Sequence, residues 1–350
     1  MPSSAPSRLP LYLAGAYTLL VVYGSLYPLA GWRDSGVELF AFLQAGWPRY
    51  VTGFDLSVNT LAYLPLGFLW VAVLMRRLAP AAACVTVALG GIVLSLGIEA
   101  LQNFLPARVP SHLDLVCNAF GGLVGALAGL RWGRDLLDGG RLHAWRERRF
   151  LAGGPGDQGL LLVALWLFSQ LNPETFLFGN GNLRGLLGLP AALDFEAGRF
   201  SALEMATVGA QTLALALIGS RLAANHPRLL PLALITAALA IKSAALLVLM
   251  QGANGLAWAT PGTLAGLLLG LLAWATALLL PAGARQALAA LALMVAAVLA
   301  NLMPDNPYLE DTLRVWRQGH FLNFNGLTRL ASSLWPFLAL PWLMLIRSEK

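Results

Sequence analysis

Charge is scarce in this chain. Its 350 residues carry 23 Lys and Arg and 17 Asp and Glu, so only 11% are charged, where a soluble domain has about 25%. With 58% hydrophobic residues and a mean hydropathy of +0.68, a water-soluble globular fold is excluded. The alternation of apolar and polar residues that marks an outer-membrane β-barrel is also missing. Cysteine is nearly absent, and Cys84 and Cys117 fall at opposite ends of neighbouring apolar runs. They are too far apart to bridge and read as small hydrophobes. No P-loop, G-x-S-x-G, H-E-x-x-H or C-x-x-C sequence occurs, so nucleotide, serine-hydrolase and zinc-peptidase chemistry have no support.

What is present is long apolar runs. A bilayer-spanning helix needs about 20 mostly apolar residues, and ten such runs lie near 10–30, 57–78, 80–102, 113–131, 159–177, 200–220, 229–251, 257–280, 285–303 and 325–346. The predicted fold class is an all-α polytopic membrane protein of about ten transmembrane helices. Cytoplasmic loops carry the excess of Lys and Arg. Taken alternately from the N-terminus, one set of loops holds Arg8, Arg76, Arg77, Arg131, Arg134, Arg141, Arg146, Arg148, Arg149, Arg221, Arg228, Arg285, Arg347 and Lys350. The other holds only Arg33, Arg49, Arg108, Arg184, Arg199, Arg314 and Arg317. Both termini are therefore expected in the cytoplasm, and the protein in a membrane that it crosses many times. The first run exceeds the ~7–15 residues of a signal-peptide core and no A-x-A site follows it, so an uncleaved anchor is expected. The net charge of +6 fits contact with anionic lipid headgroups. No basic soluble domain is present to bind nucleic acid.

The stretch "RWGRDLLDGGRLHAWRERRFLAGGPGDQG" is basic, then rich in Gly and Pro. It divides the chain into a four-helix unit at 1–132, a cytoplasmic linker at 133–158 and a six-helix unit at 159–350 with no predicted role. Leu142, Trp145 and Phe150 suit a short interfacial helix in the linker. A weak internal echo runs along the chain. "SLYP", "SQLNP" and "NLMP" end three runs, and the next runs open with Phe54, Phe200 or Phe321 followed by Asn59, Glu204 or Asn325.

The polar residues that remain concentrate in "IEALQNFLPARVPSHLDLVCNAFGG", residues 98–122. Helical spacing places Gly91, Ser95, Glu99 and Gln102 in one stripe of the third run, and Asp114, Asn118, Gly121, Gly125 and Gly129 in one stripe of the fourth. The two runs should form an antiparallel hairpin, glycines packed at one end and polar groups meeting near the outer boundary. Pro106 and Pro110 bracket Arg108 and force extended backbone before Ser111. Ser111 and Asp114 have the S-x-x-D form of a helix cap, and the helix dipole favours Asp114 there.

The positions Glu99, Ala100, Gln102, Phe104, Pro106, Arg108, Ser111, Asp114, Asn118 and Gly121, with Asn59, Pro65 and Gly67 upstream, resemble the signature of the VanZ-like family over residues 10–132. The resemblance implies a small bacterial membrane protein related to glycopeptide resistance, in which the namesake lowers susceptibility to teicoplanin.

An ionisable group near the end of a span is costly unless paired or wet, so Glu99 is the leading functional candidate and Arg108 its expected partner. A site of Asn59, Glu99, Gln102, Arg108, Ser111, Asp114 and Asn118 suits a phosphate or carboxylate at the guanidinium. The expected partners are membrane lipids, a lipid-linked envelope precursor or a lipoglycopeptide. Acid–base catalysis at a lipid phosphate by Glu99, His112 and Asp114 is the alternative. Transport is a third reading, with Lys242, in the seventh run, needing Glu204 or another acceptor. No metal or other cofactor is expected, since the lone H-x-D at His112 is too little for a metal site.

Overall fold

The computed structural model describes residues 7–46, 53–137, 140–249, 254–307 and 322–346. Among these the chain is all-helical, with a lone bridge between Phe150 and Ala223 and no strand. Long helices fall in the ten apolar runs: α1 (Leu9–Leu26), α2 (Gly53–Leu74), α3 (Pro80–Gln102), α4 (His112–Leu137), α6 (Gly153–Ser169), α8 (Ala197–Leu222), α9 (Leu229–Leu249), α10 (Pro261–Ala277), α11 (Ala282–Leu302) and α12 (Leu322–Leu345). Two short α-helices, α5 (Arg141–Arg149) and α7 (Leu183–Leu186), and a 3-10 turn at Ala41–Leu43 complete the order among the described residues.

Among the described residues seven helices are long and apolar enough, by length and composition, to cross a membrane: α1, α2 from Leu56, α3, α4, α8, α9 as far as Val248, and α11; α10 is apolar but shorter. Their boundaries follow local chemistry. Pro80 and Pro261 sit in the first turns of α3 and α10, where the missing N–H costs nothing. The α6 helix begins and ends earlier than its apolar run, stopping at Ser169, because Pro173 disfavours helical backbone at Asn172. Large apolar side chains such as Leu19, Leu89 and Val93 are exposed while Ser95, Glu99, Gln102 and Asn118 are buried. That inversion is what a lipid solvent selects.

The chain divides into two compact units, Met1–Glu147 and Arg148–Lys350. The expected linker is largely helical: α4 continues to Leu137, α5 follows, and α6 begins at Gly153. Trp145 of α5 is exposed, Phe150 half-buried, and the side chain of Leu142 lies outside the described residues.

In the first unit, α2 and α4 run parallel and pack most intimately. A Cβ on Gly121, Gly125 or Gly129 would lie 2.1, 1.9 or 2.7 Å from the carbonyl oxygen of Thr60, Leu64 or Phe68, and one on Gly67 would lie 2.0 Å from that of Gly122. The predicted partner of the glycine stripe, α3, is thereby corrected to α2. Gly91 on α3 faces open space. Spacing identifies which residues share a face, but not which helix that face meets. The α1 helix is tied to α2 through Tyr17 Oη to the Ala62 carbonyl (2.9 Å) and Trp70 Nε1 to Thr18 Oγ1 (3.0 Å).

In the second unit α8 is central, with α10, α11, α9 and α6 against it, and α12 packed on α6 and α11. Gly266 and Gly270 of α10 repeat the close approach, their Cβ positions 2.6 Å from the Met205 and Gly209 carbonyl oxygens of α8. Buried tryptophans bond across helices, Trp335 to the Leu162 carbonyl (2.7 Å) and Trp274 to Ser220 Oγ (3.0 Å).

Candidate functional site

The residues singled out in 98–122 come together at the end of the first unit where α3 gives way to α4. Gln102 closes α3, the loop turns through Pro106 and Pro110, and Ser111 precedes α4. The Ser111 carbonyl accepts the first helical bond from Leu115 (3.3 Å) and its Oγ accepts the Leu113 N–H (3.2 Å). That is an N-cap. In a full capping box the third helical residue, here Asp114, would take the N–H of Ser111. Glu99 takes it instead, through Oε2 at 2.8 Å. A carboxylate at the end of one helix thus completes the cap of the next, and Glu99, 2% exposed, is held by that bond.

The polar ends of α3 and α4 converge as the hairpin predicts. Asn118 Nδ2 donates to Ser95 Oγ at 2.9 Å. Gln102 points elsewhere, Nε2 donating to the Ser25 carbonyl at 2.8 Å. Arg108 is likewise turned to α1: Nε donates to the Tyr27 carbonyl and Nη2 to the Gly24 carbonyl, both at 2.9 Å. These are carbonyls at the C-terminal end of α1, where a cation is favoured. Glu99 and Asp114 are its charged neighbours. Burial pulls the Arg108 guanidinium below the ordinary arginine value and the two carboxylates pull it back up, so it remains a cation. His112 and Asp114 are half-buried in the first turn of α4. Asn59 is half-buried on α2, beside the Thr60 that meets Gly121, and its side chain has no hydrogen bond among the described residues. The Tyr63 hydroxyl and Asn118 Oδ1 are buried without a partner among the described residues.

Above this network the loop 27–46 is bonded to the loop 103–111, with Arg33 N–H to the Phe104 carbonyl (2.9 Å) and Asn103 Nδ2 to the Leu39 carbonyl (2.7 Å). Between the two loops lies a cavity of about 200 Å³ lined by Arg33, Ser35, Asn103 and Arg108 together with Val37 and Val109. Val37 and Val109 are exposed, Val109 to 84%, and Trp32 and Phe40 are exposed on the same loop as Arg33. Nothing in the sequence marks Arg33, Ser35 or Asn103 as part of a site, because only the docking of the two loops brings them beside Arg108.

In the second unit, Lys242 does not meet Glu204. Its Nζ donates to the carbonyls of Asn172 and Thr175 (2.6 Å to Thr175), while Glu204 Oε2 accepts the Thr260 hydroxyl at 2.6 Å. Arg329 donates to the Gly185 carbonyl. Among the described residues no group of three or more His, Cys, Asp or Glu is placed to hold a metal ion.

No curated protein and no solved structure was found to be similar to the chain. Residues 13–132 match the family model VanZ/LLP1, a stretch that takes in α1 to α4 and every candidate residue of the first unit, so in this all-α membrane protein the first unit is what is similar to that family.

Proposed function

We propose that the outer end of the first unit binds the acidic head of an amphiphile, its phosphate or carboxylate at Arg33 and Arg108 and its apolar chain along the exposed rim. The observation that carries this reading is that Arg33 and Arg108 line one small cavity together with exposed Val37 and Val109, while Trp32 and Phe40 are exposed on the same loop as Arg33. Guanidinium forks match such oxyanions, and apolar side chains on a surface loop suit the interfacial zone of a membrane. The ligand class is an envelope lipid, a lipid-linked precursor or a lipoglycopeptide such as teicoplanin, and the consequence is altered envelope integrity or glycopeptide susceptibility. The setting is a bacterial plasma membrane, with ten spans and both termini on the cytoplasmic side.

In this reading Glu99, Gln102, Ser111 and Asn118 hold the site rather than touch the ligand, since none of them lines the cavity and their bonds run to other parts of the protein. The same burial makes Glu99 a poor candidate for proton transfer to a bound lipid, which favours binding over acid–base catalysis.

The test is titration of the purified full chain with dihexanoyl phosphatidylglycerol and with teicoplanin, following tryptophan fluorescence. Arg33→Ala should weaken one of them roughly tenfold, the size of a lost charged hydrogen bond, without loss of folding, because the bond Arg33 makes to the protein is through its backbone N–H. Equal affinity of wild type and Arg33→Ala for both ligands would overturn the reading. A lipid species present with wild type but absent with Asp114→Asn at equal abundance would replace it with catalysis.

A further inference from the structure

The second unit carries a site of its own. At the end of this bundle where α6, α9 and α11 finish and α8 and α10 begin, a cavity of about 390 Å³ opens among the turn 170–182, the segment 254–260 and residues 303–306. That is within the range of small-ligand pockets. Its walls hold both signs of charge, Lys242 and Arg184 against Glu174 and Glu204, over an aromatic floor of Phe200 and Trp258.

The charges are differently committed. Arg184 Nη2 is paired with Asp305 (2.8 Å) and bonded to the Met303 carbonyl (3.0 Å), so it is neutralised in place. Lys242, 2% exposed, is held among the described residues by two backbone carbonyls. An ammonium has three donors, and among the described residues no carboxylate meets this one within ion-pair distance. A buried cation without a counter-ion is costly. Across the cavity, Glu204 receives a hydroxyl from Thr260, which itself caps α10 by accepting the Thr263 N–H (3.0 Å). Glu174 accepts Asn325 Nδ2 at 2.5 Å. Among the described residues, then, Glu204 is met only by the neutral hydroxyls of Thr260 and Thr263 and Glu174 by the Asn325 amide, so neither carboxylate has a cationic partner there. Gly262 is required beside Glu204, since a Cβ there would sit 2.6 Å from Oε2.

We propose that this cavity binds a small zwitterion, its acidic group at Lys242 and its ammonium at Glu204 and Glu174, with the intervening atoms against Phe200 and Trp258. Two sources offer that chemistry: a free amino acid, or the headgroup of an amine-bearing phospholipid. The internal echo gains a physical sense here. Asn172 of "SQLNP" binds Lys242, Met303 and Pro304 of "NLMP" line the cavity, and Glu204 and Asn325 stand at the corresponding places of the following helices.

The experiment is thermal unfolding of the full chain in detergent with L-alanine, phosphoethanolamine, inorganic phosphate and ethanolamine as separate probes, repeated in nanodiscs with and without phosphatidylethanolamine. At a hundred times Kd the bound probe should raise the melting temperature by about 5 °C. A rise with L-alanine alone assigns the free amino acid. A rise with phosphoethanolamine and in the phosphatidylethanolamine nanodiscs assigns the lipid headgroup. Glu204→Gln keeps an acceptor for Thr260 and should weaken the active zwitterion at least tenfold, and Lys242→Met should abolish its effect. No rise with either zwitterion, or an equal rise with phosphate or ethanolamine alone, would overturn the proposal. So would an undiminished response in Glu204→Gln.

Discussion

At the residue scale the most informative side chain is Glu99. Its Oε2 accepts a backbone N–H from the start of the neighbouring helix, so its first task is to satisfy a donor that lipid would leave bare. Glu99→Ala should leave the half-buried Ser111 N–H unpaired and destabilise the protein by about 1–3 kcal/mol. Glu99→Gln retains an acceptor at that place and should cost less. Melting of the two variants in detergent checks the order, and Glu99→Gln as unstable as Glu99→Ala would show that the negative charge itself is needed. Ser111→Ala removes the cap to Leu113 and should cost about 1 kcal/mol in the same assay. The membership of this cluster is legible in the sequence, because Glu99, Ser111 and Asp114 stand at helix-end spacing around two prolines. The acceptors of Arg108 and Gln102 are not, since the backbone carbonyls of Gly24, Ser25 and Tyr27 leave no mark in side-chain chemistry.

Among elements, the parallel pair α2 and α4 fixes the frame on which that cluster sits. Four glycines, Gly67, Gly121, Gly125 and Gly129, let one backbone lie on the other, an approach that dispersion and small residues favour in lipid. Gly125→Ala would drive a methyl into the Leu64 carbonyl, an obstacle that cannot rotate away. Its cost should reach at least the upper end of the ~1–3 kcal/mol typical of overpacking, seen as a large loss of folded protein on size-exclusion chromatography. Gly91→Ala, facing open space, should behave as wild type. The G-x-x-x-G spacing announces a close contact but is silent about its partner. The nearest helix in sequence, α3, is the natural guess, and the structure gives the place to α2, its parallel neighbour.

For the molecule as a whole, two units with separate cores follow one another along the chain. Alkaline-phosphatase fusions should be active after Gly36 and inactive after Gly140 if the basic loops face the cytoplasm; the reverse pattern would invert the proposed orientation. The helical nature of both units is plain in the composition. The cavity of the second is hidden from it, because Lys242, Glu204, Glu174 and Arg184 come from α9, α8, a turn and the short α7, which share no spacing. Even the order in the chain misleads, since Lys242 and Glu204 look like partners and each is instead bonded to a different loop.

The seam between α2 and α4 also has a bearing on how the chain is made. Thr60, Leu64 and Phe68 leave the ribosome about sixty residues before the glycines that cover them, with the whole of α3 synthesised in between. During that interval α2 waits in the membrane with an unfilled groove, and a nascent chain stopped short of Gly121 has nothing to close it. A product truncated after α3 should therefore be more open to membrane proteases than one that reaches the end of α4, where the glycines can cover the Thr60, Leu64 and Phe68 carbonyls.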